Sequence, residues 1–274
     1  MRGAHLPVML EEVMAILQPR DDAIYVVGTF GGGGYSEALL SRARCKVFGI
    51  DRDAAAIARG RVLAQKFDGR LTLIHGRFSE MDALLDAQGV AKADGVALDL
   101  GVSSFQFDEG ERGFSFRSDG PLDMRMAGTA DDEPSARDLV NELPEGELAD
   151  LLYRYGDERR SRRIAAAIVR RRPIETTDEL AGIIVSAVGR RPGGPHPARR
   201  SFQALRIAVN RELEELTASL PHAAGLLDPG GRVVVISYHS LEDGVVKRSF
   251  RDDDRLQVLT LSDANAMSKD QAAR

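Results

Sequence analysis

Apolar residues in the first hundred positions come in short runs, Ile24 to Gly28, Val47 to Ile50, Leu71 to His75 and Gly95 to Leu98. Each is too short for a helix and too continuously apolar for a strand with one wet face, which is the pattern of strands buried in a parallel sheet. Between the runs, near 35–43, 53–66 and 79–88, apolar positions recur at helical spacing, so strand and helix alternate as in a doubly wound α/β sheet. From 134 to 189 the pattern changes to successive helices, with acidic or hydroxyl starts at Glu145, Asp157 and Thr176. Ser201 to Leu220 reads as one long amphipathic helix, Gly230 to Val233 leads into a strand through Ser237, and Leu241 to Phe250 is helical again. Arg255 to Leu261 offers one more strand, and 263–274, small and polar, reads as a disordered tail. The expected organisation is a discontinuous sheet domain over 1–104 and 205–262, interrupted over 105–204 by a long loop and an all-helical domain.

The junction between the two patterns, Asp99 to Met126, reads DLGVSSFQFDEGERGFSFRSDGPLDMRM. It begins where the fourth apolar run ends on an acid, and ligands of open α/β sheets sit beyond the carboxyl ends of such strands, so Asp99 should point into a site. Glycines, hydroxyls and four phenylalanines follow with no period of helix or strand, and a loop of this length inside a domain is a functional feature. A second candidate is the glycine-rich turn Gly28 to Gly34, after the first strand and before a helix. It lacks the GxGxxG of a nicotinamide site and the GK[ST] ending of a phosphate loop. Asp51 ends the second strand about 20 residues on, where a carboxylate can accept both hydroxyls of a ribose, unless it merely caps the next helix, a role for which Asp53 competes.

Composition narrows the classes. A chain of 274 residues, 43% apolar and 29% charged, can bury a substantial core, and no apolar run approaches the ~20 residues of a membrane helix. Glu11 and Glu12 interrupt the only N-terminal apolar stretch, so a cytoplasmic protein without membrane partners is expected. A single Cys45 excludes an internal disulfide, and the five histidines show no ligand spacing, so no metal site is expected. Net charge is −5 but uneven: from Arg154 to Arg211 there are 14 arginines against 5 acids, which leaves −14 on the rest of the chain. Such a block either meets phosphates or forms the wet face of an amphipathic helix, with Arg159, Arg162, Arg163 and Arg170 opposite Ile164, Ala165, Ile168 and Val169.

These segments, together with HLPVMLEEV at His5 to Val13, GTFGGGGYS at Gly28 to Ser36, GIDRD at Gly49 to Asp53, YGDERRSRRIA ending at Ala165, HPARRSFQALRIAVNREL at His196 to Leu213 and ISYHSLED at Ile236 to Asp243, resemble the bacterial 16S rRNA (cytosine-N4)-methyltransferase family, small-subunit ribosomal RNA methyltransferase H. The resemblance runs in the family's order over roughly Ala4 to Arg251. It implies a Rossmann-like sheet that binds S-adenosyl-L-methionine, with an inserted helical domain, acting on small-subunit rRNA or the 30S subunit at a cytidine of the decoding centre. The family's cofactor contacts carry over to Gly33, Gly34, Tyr35, Asp51, Phe78, Asp99 and Gln106. The chain departs from the family where an acid is usual at Val27, histidine at Tyr35, a small hydroxyl residue at Arg199 and arginine at Gly244, and it lacks a further basic C-terminal segment.

A cytosine amine is a poor nucleophile, because its lone pair is delocalised into the ring. An acceptor that holds one N–H helps, and Asp99 with Ser103 and Ser104 is placed for this catalytic role. Whether Asp99 serves the amine or the cofactor is open at this stage. No Cys follows the fourth strand to support covalent attack on the ring. His239 and Ser240 end the last strand near the same crevice, the alternatives being a buried imidazole and a helix cap. Arg112, Arg117 and Arg125 either close the loop through Asp119 and Asp123 or touch RNA. The competing reading is a non-enzymatic RNA-binding or ribosome-assembly relative on the same fold.

Overall fold

The structure is a computed structural model that describes residues 7–129, 133–190 and 192–259. The expected tail at 263–274 lies outside the described residues. The chain divides into two compact units, residues 1–101 with 213–274, and residues 102–212. In the first unit the order is α1 (Leu10–Leu17), β1 (Ile24–Val27), α2 (Gly34–Arg42), β2 (Lys46–Asp51), α3 (Ala54–Gln65), β3 (Leu71–His75), α4 (Met81–Asp86) and β4 (Ala93–Asp99). The second unit holds α5 (Ser104–Asp108), α6 (Ala136–Glu142), α7 (Glu145–Gly156), α8 (Ser161–Val169), α9 (Thr177–Val188) and α10 (Arg199–Asn210). The chain then returns through α11 (Glu212–Leu226), β5 (Leu227–Ile236) and α12 (Ser240–Asp252).

The five strands are all parallel in the order β3-β2-β1-β4-β5. Because successive side chains leave a strand on opposite faces, Tyr25 and Val27 join one core with Val13, Met14, Leu17, Tyr35 and Leu39. Val26 joins the other, with Ile50, Val96, Leu98, Met81 and Leu216. The sheet is therefore covered on both sides, which explains the unbroken apolar runs in the sequence. The helical unit has its own core, built from Leu148, Leu152, Ile164, Ile168, Leu180, Phe202 and Leu205. No helix among the described residues is long and apolar enough to cross a membrane.

Four expectations are corrected. Ser201 to Leu220 is two helices, because Arg211 takes a left-handed conformation at φ 50° and ends α10. Both helices are amphipathic and the break has neither Gly nor Pro, so periodicity alone runs through it. Asp157 does not start a helix; it ends α7 in a left-handed conformation at φ 46°. Arg255 to residue 259 forms no strand, because the Asp253 carboxylate takes the Arg255 backbone N–H at 3.0 Å and its guanidinium at 2.6 Å, closing a turn. Residues 260–261 lie outside the described residues. Finally, Asp99 to Met126 is not free of helix: α5 and a 3₁₀ turn at Gly110–Arg112 lie within it.

Candidate active site

In the order β3-β2-β1-β4-β5 the connections reverse direction between β1 and β4, the place where open α/β sheets bind ligands. Val27 on β1 pairs with Gly49 on β2 and Ala97 on β4. Asp51, Thr29 and Asp99 each stand two residues further, so two carboxylates flank the first turn at one level. With neighbouring strands ~4.8 Å apart, β2 and β4 are roughly 10 Å apart.

The turn is fastened to both neighbours. Gly28 N–H donates to Ala97 O and Phe30 N–H to Ile50 O, each at 2.9 Å. Gly31 N–H donates to Asp51 Oδ2 at 2.7 Å, and Asp99 N–H donates to Thr29 Oγ1 at 2.7 Å. Asp51 also accepts the Asp53 N–H on Oδ1 at 2.8 Å. Burial pushes the Asp51 carboxyl up from the usual range, against the lowering effect of the Asp53 and Gly31 N–H groups. The cap of α3 belongs to Asp53, whose carboxylate takes the Ala55 N–H at 3.0 Å. Asp51 is thereby left with half of a carboxylate's roughly four acceptor positions for a ligand diol.

The space a Cβ would take at Gly33 and Gly34 is filled by protein side chains. Gly33 sits at φ 80°, where a Cβ would lie 2.7 Å from Leu63 Cδ2 and 2.8 Å from Phe30 Cζ. A Cβ on Gly34 would lie 2.3 Å from Pro7 Cγ. Tyr35 is buried on the first turn of α2 and donates its hydroxyl to Val8 O. Burial pushes its phenol up, and the charge of Asp99 adds to this. Phe78 is half-buried after β3 and packs at the edge of the second core.

Tyr238, which the sequence reading missed, donates its hydroxyl to Asp99 Oδ1 at 2.8 Å. Burial chiefly, then the Asp99 bond and charge, push this phenol up, so it stays protonated and a donor. Thr29 was missed as well. Both stand just past the carboxyl end of a strand, the position that singled out Asp51 and Asp99, and that signal could have found them. His239, not Ser240, caps α12: its Nδ1 accepts the Glu242 N–H at 3.4 Å and its Nε2 lies 3.0 Å from Glu242 Oε1.

Ser103, Ser104 and Gln106 belong to the helical unit. Ser103 caps α5 in a reciprocal box: its Oγ takes the Gln106 N–H at 3.3 Å and its own N–H donates to Gln106 Oε1 at 3.1 Å. Gln106 is buried and its Nε2 donates to Met126 O at 3.2 Å. Ser104 is half-buried on the first turn of α5. Of the loop arginines, Arg125 pairs with Asp123 at 2.6 Å, and Arg112 donates to Arg125 O and Met126 O. Arg117 is exposed and has no acidic partner among the described residues. On α8 and beside it, Ile164, Ala165 and Ile168 are buried while Arg159, Arg162, Arg163 and Arg170 are exposed, without acidic partners among the described residues.

Comparison with known proteins bears on this site. A family model described as the MraW methylase family matches residues 2–268. The curated ribosomal RNA small subunit methyltransferase H of Acidiphilium cryptum (strain JF-5) is 56% identical over 248 residues, covering 89% of this chain and 78% of that protein. Its namesake in Paramagnetospirillum magneticum (strain ATCC 700264 / AMB-1) is 55% identical over 246 residues, covering 89% and 76%. That of Gluconobacter oxydans (strain 621H) is 56% identical over 250 residues, covering 90% and 76%.

Proposed function

The chain belongs to the MraW methylase family, and from that premise we propose that it transfers a methyl group from S-adenosyl-L-methionine to the N4 amine of a cytidine in the decoding centre of small-subunit (16S) rRNA. The observation that carries the reading is the pair of strand-end carboxylates on either side of the first turn, Asp51 at β2 and Asp99 at β4, with Tyr238 hydrogen-bonded to Asp99 at 2.8 Å. The relatives' names supply the substrate class.

The donor set fits the cofactor. Asp51 would hold the ribose hydroxyls, Phe78 would wall the adenine, and Gly33, Gly34 and Tyr35 would line the methionine end, with Asp99 at the polar groups beyond; Gln106, which the resemblance adds to this set, stands in the helical unit with its amide engaged by Ser103 and Met126. When bound, the cofactor supplies a methyl group already activated on a sulfonium, so alignment of the acceptor dominates the protein's task. Asp99 would accept an N–H of the cytosine amine, which turns the nitrogen lone pair out of the ring and toward the donor, and its carboxylate would take the proton that the nitrogen gives up on methylation. Tyr238, donating to Oδ1, fixes the carboxylate plane for that contact. Within the helical unit the Ser103 hydroxyl is already engaged as the cap of α5, whereas Ser104 is half-buried on the first turn of that helix. Arg159, Arg162, Arg163 and Arg170 hold RNA phosphates, contacts that position a strand without reading its sequence. The target nucleotide has to be splayed out of its helix to reach a strand-end crevice, as for other enzymes that act on a base.

The test is labelled-methyl incorporation into small subunits lacking the modification, with mass analysis of the released nucleosides, alongside calorimetric titration with S-adenosyl-L-methionine. N4-methylcytidine is the expected product. Cofactor binding without any methylated cytidine, on naked rRNA and on subunits alike, would instead support a non-enzymatic RNA-binding relative.

A further inference from the structure

Asn210, the last residue of α10, is 1% exposed and hydrogen-bonded at both ends of its amide. Its Nδ2 donates to Met124 O at 2.7 Å and to Arg206 O at 2.9 Å, and its Oδ1 accepts the Met126 N–H at 2.7 Å. It therefore grips two alternate residues of the long loop. Met124, the first of the two, follows Asp123 and sits at φ 63°, a left-handed conformation that a non-glycine residue holds only when its surroundings impose it. The Met126 carbonyl on the far side of the grip accepts Arg112 Nη2 at 2.7 Å and Gln106 Nε2 at 3.2 Å. Gln106 in turn takes the Ser103 N–H on its Oε1. A continuous hydrogen-bonded path thus runs from Asn210 through Met126 and Gln106 to Ser103, entirely within the helical unit.

We propose that Asn210 is a positioning residue for methyl transfer: by clamping Met124 and Met126 it fixes the Gln106 amide, and through it the Ser103–Ser104 turn that follows Asp99 in the chain. This rests on the reading of Asp99, Ser104 and Gln106 as site residues. A purely structural Asn provides the contrast. Asn141 makes the same three kinds of bond, donating to Arg137 O at 2.9 Å and Ile174 O at 2.8 Å and accepting the Ile174 N–H at 2.8 Å, with no link to α5 among the bonds described. Removing either side chain takes a partner from two carbonyls and one N–H, and because Asn141 is half-buried and water can reach it, Asn210→Ala should lose more stability of the two. Only one should lose alignment.

The experiment compares the full-length wild type with Asn210→Ala, Asn141→Ala, Gln106→Glu and the Asn210→Ala, Gln106→Glu double variant in methyl transfer to small subunits, with thermal unfolding of each. At saturating cofactor and a temperature at which thermal unfolding shows every variant folded, Asn210→Ala is expected to lower kcat at least tenfold and Asn141→Ala less than twofold. Because both act on one contact, the double variant should be no slower than the slower single variant. Equal losses in Asn210→Ala and Asn141→Ala, or fully multiplicative losses in the double variant, would overturn the proposal. If Asn210→Ala does not fold, Asn210→Ser takes its place, since its hydroxyl can still bond the Arg206 carbonyl one turn back but is too short to span Met124 and Met126. Hydrogen exchange of the 103–106 segment provides a readout independent of activity: protection should fall in the Asn210 variant and hold in Asn141→Ala. A wild type that transfers no methyl group would refute the assigned function while the exchange result still decides the role of Asn210.

Discussion

Val27→Asp separates the family pattern from the packing of this chain. The family resemblance implies an acid at this position, and restoring it would be expected to tighten cofactor binding if the side chain faced the ligand. In the structure Val27 is 1% exposed and belongs to an apolar cluster with Met14, Phe30, Tyr35 and Leu39. A carboxylate there has to ionise in low dielectric, and burial of this kind raises an acid by about 3 units or more from its unfolded value near 3.9. At about 1.4 kcal/mol per unit the charge costs about 4 kcal/mol, to which loss of the buried valine adds about 1.5 kcal/mol. Against a total stability of about 5–15 kcal/mol, the variant should be close to unfolding at neutral pH. The sign follows from the raised folded-state value: the charge penalty is absent below the unfolded pKa near 3.9, grows as pH rises, and is complete above the folded pKa near 7. Urea unfolding of wild type and variant between pH 5 and pH 8 measures this, with a gap that widens with pH. Tyr35 lies in the same cluster, in place of the family's histidine. Val27→Asp combined with Tyr35→His should recover part of the loss, because an imidazole gives the buried acid a partner. A single variant with stability within about 1 kcal/mol of wild type at every pH, together with tighter cofactor binding, would refute the packing argument.

Further outcomes follow from other contacts. Asp51→Ala should weaken S-adenosyl-L-methionine binding by about 1.5–3 kcal/mol in calorimetry and also lower Tm, because the Gly31 and Asp53 N–H groups lose their acceptor; Asp53→Ala, which removes the cap of α3 and the ion pair with Arg59, should cost more than the about 1 kcal/mol of a cap alone and leave cofactor affinity unchanged. Replacing Arg162 and Arg163 by Ala should reduce the salt dependence of rRNA binding by about one to two in log–log slope, whereas an unchanged slope would leave them as a solvated helix face. Tyr238→Phe should reduce methyl transfer about tenfold with little change in Tm, since Tyr238 is 54% exposed and water can replace its hydroxyl in stability but not in orientation; Asp99→Ala should abolish transfer, and activity within twofold of wild type in either would remove that residue from the chemistry.

Much of this was legible along the chain. Continuous apolar runs identified β1 to β4 because a sheet covered on both faces needs no alternation, and the acids at Asp51 and Asp99 were visible as strand ends. The Arg-rich face of α8 was visible because its apolar stripe recurs at helical spacing. Other features depend on neighbours remote in sequence. The break at Arg211 carries no Gly or Pro signal, and the turn at Asp253 to Arg255 is made by side-chain bonds that an apolar pattern does not record. Tyr238 becomes a site residue only because β5 pairs with β4 and brings its strand end beside Asp99, across 139 positions of sequence. Val27 reads as a lost ligand contact along the chain and as core in the fold, because strand alternation fixes its face while only packing fixes what covers that face. Periodicity and strand ends are local properties that a sequence states by itself; which hydroxyl meets which carboxylate depends on strand order, which local pattern does not contain.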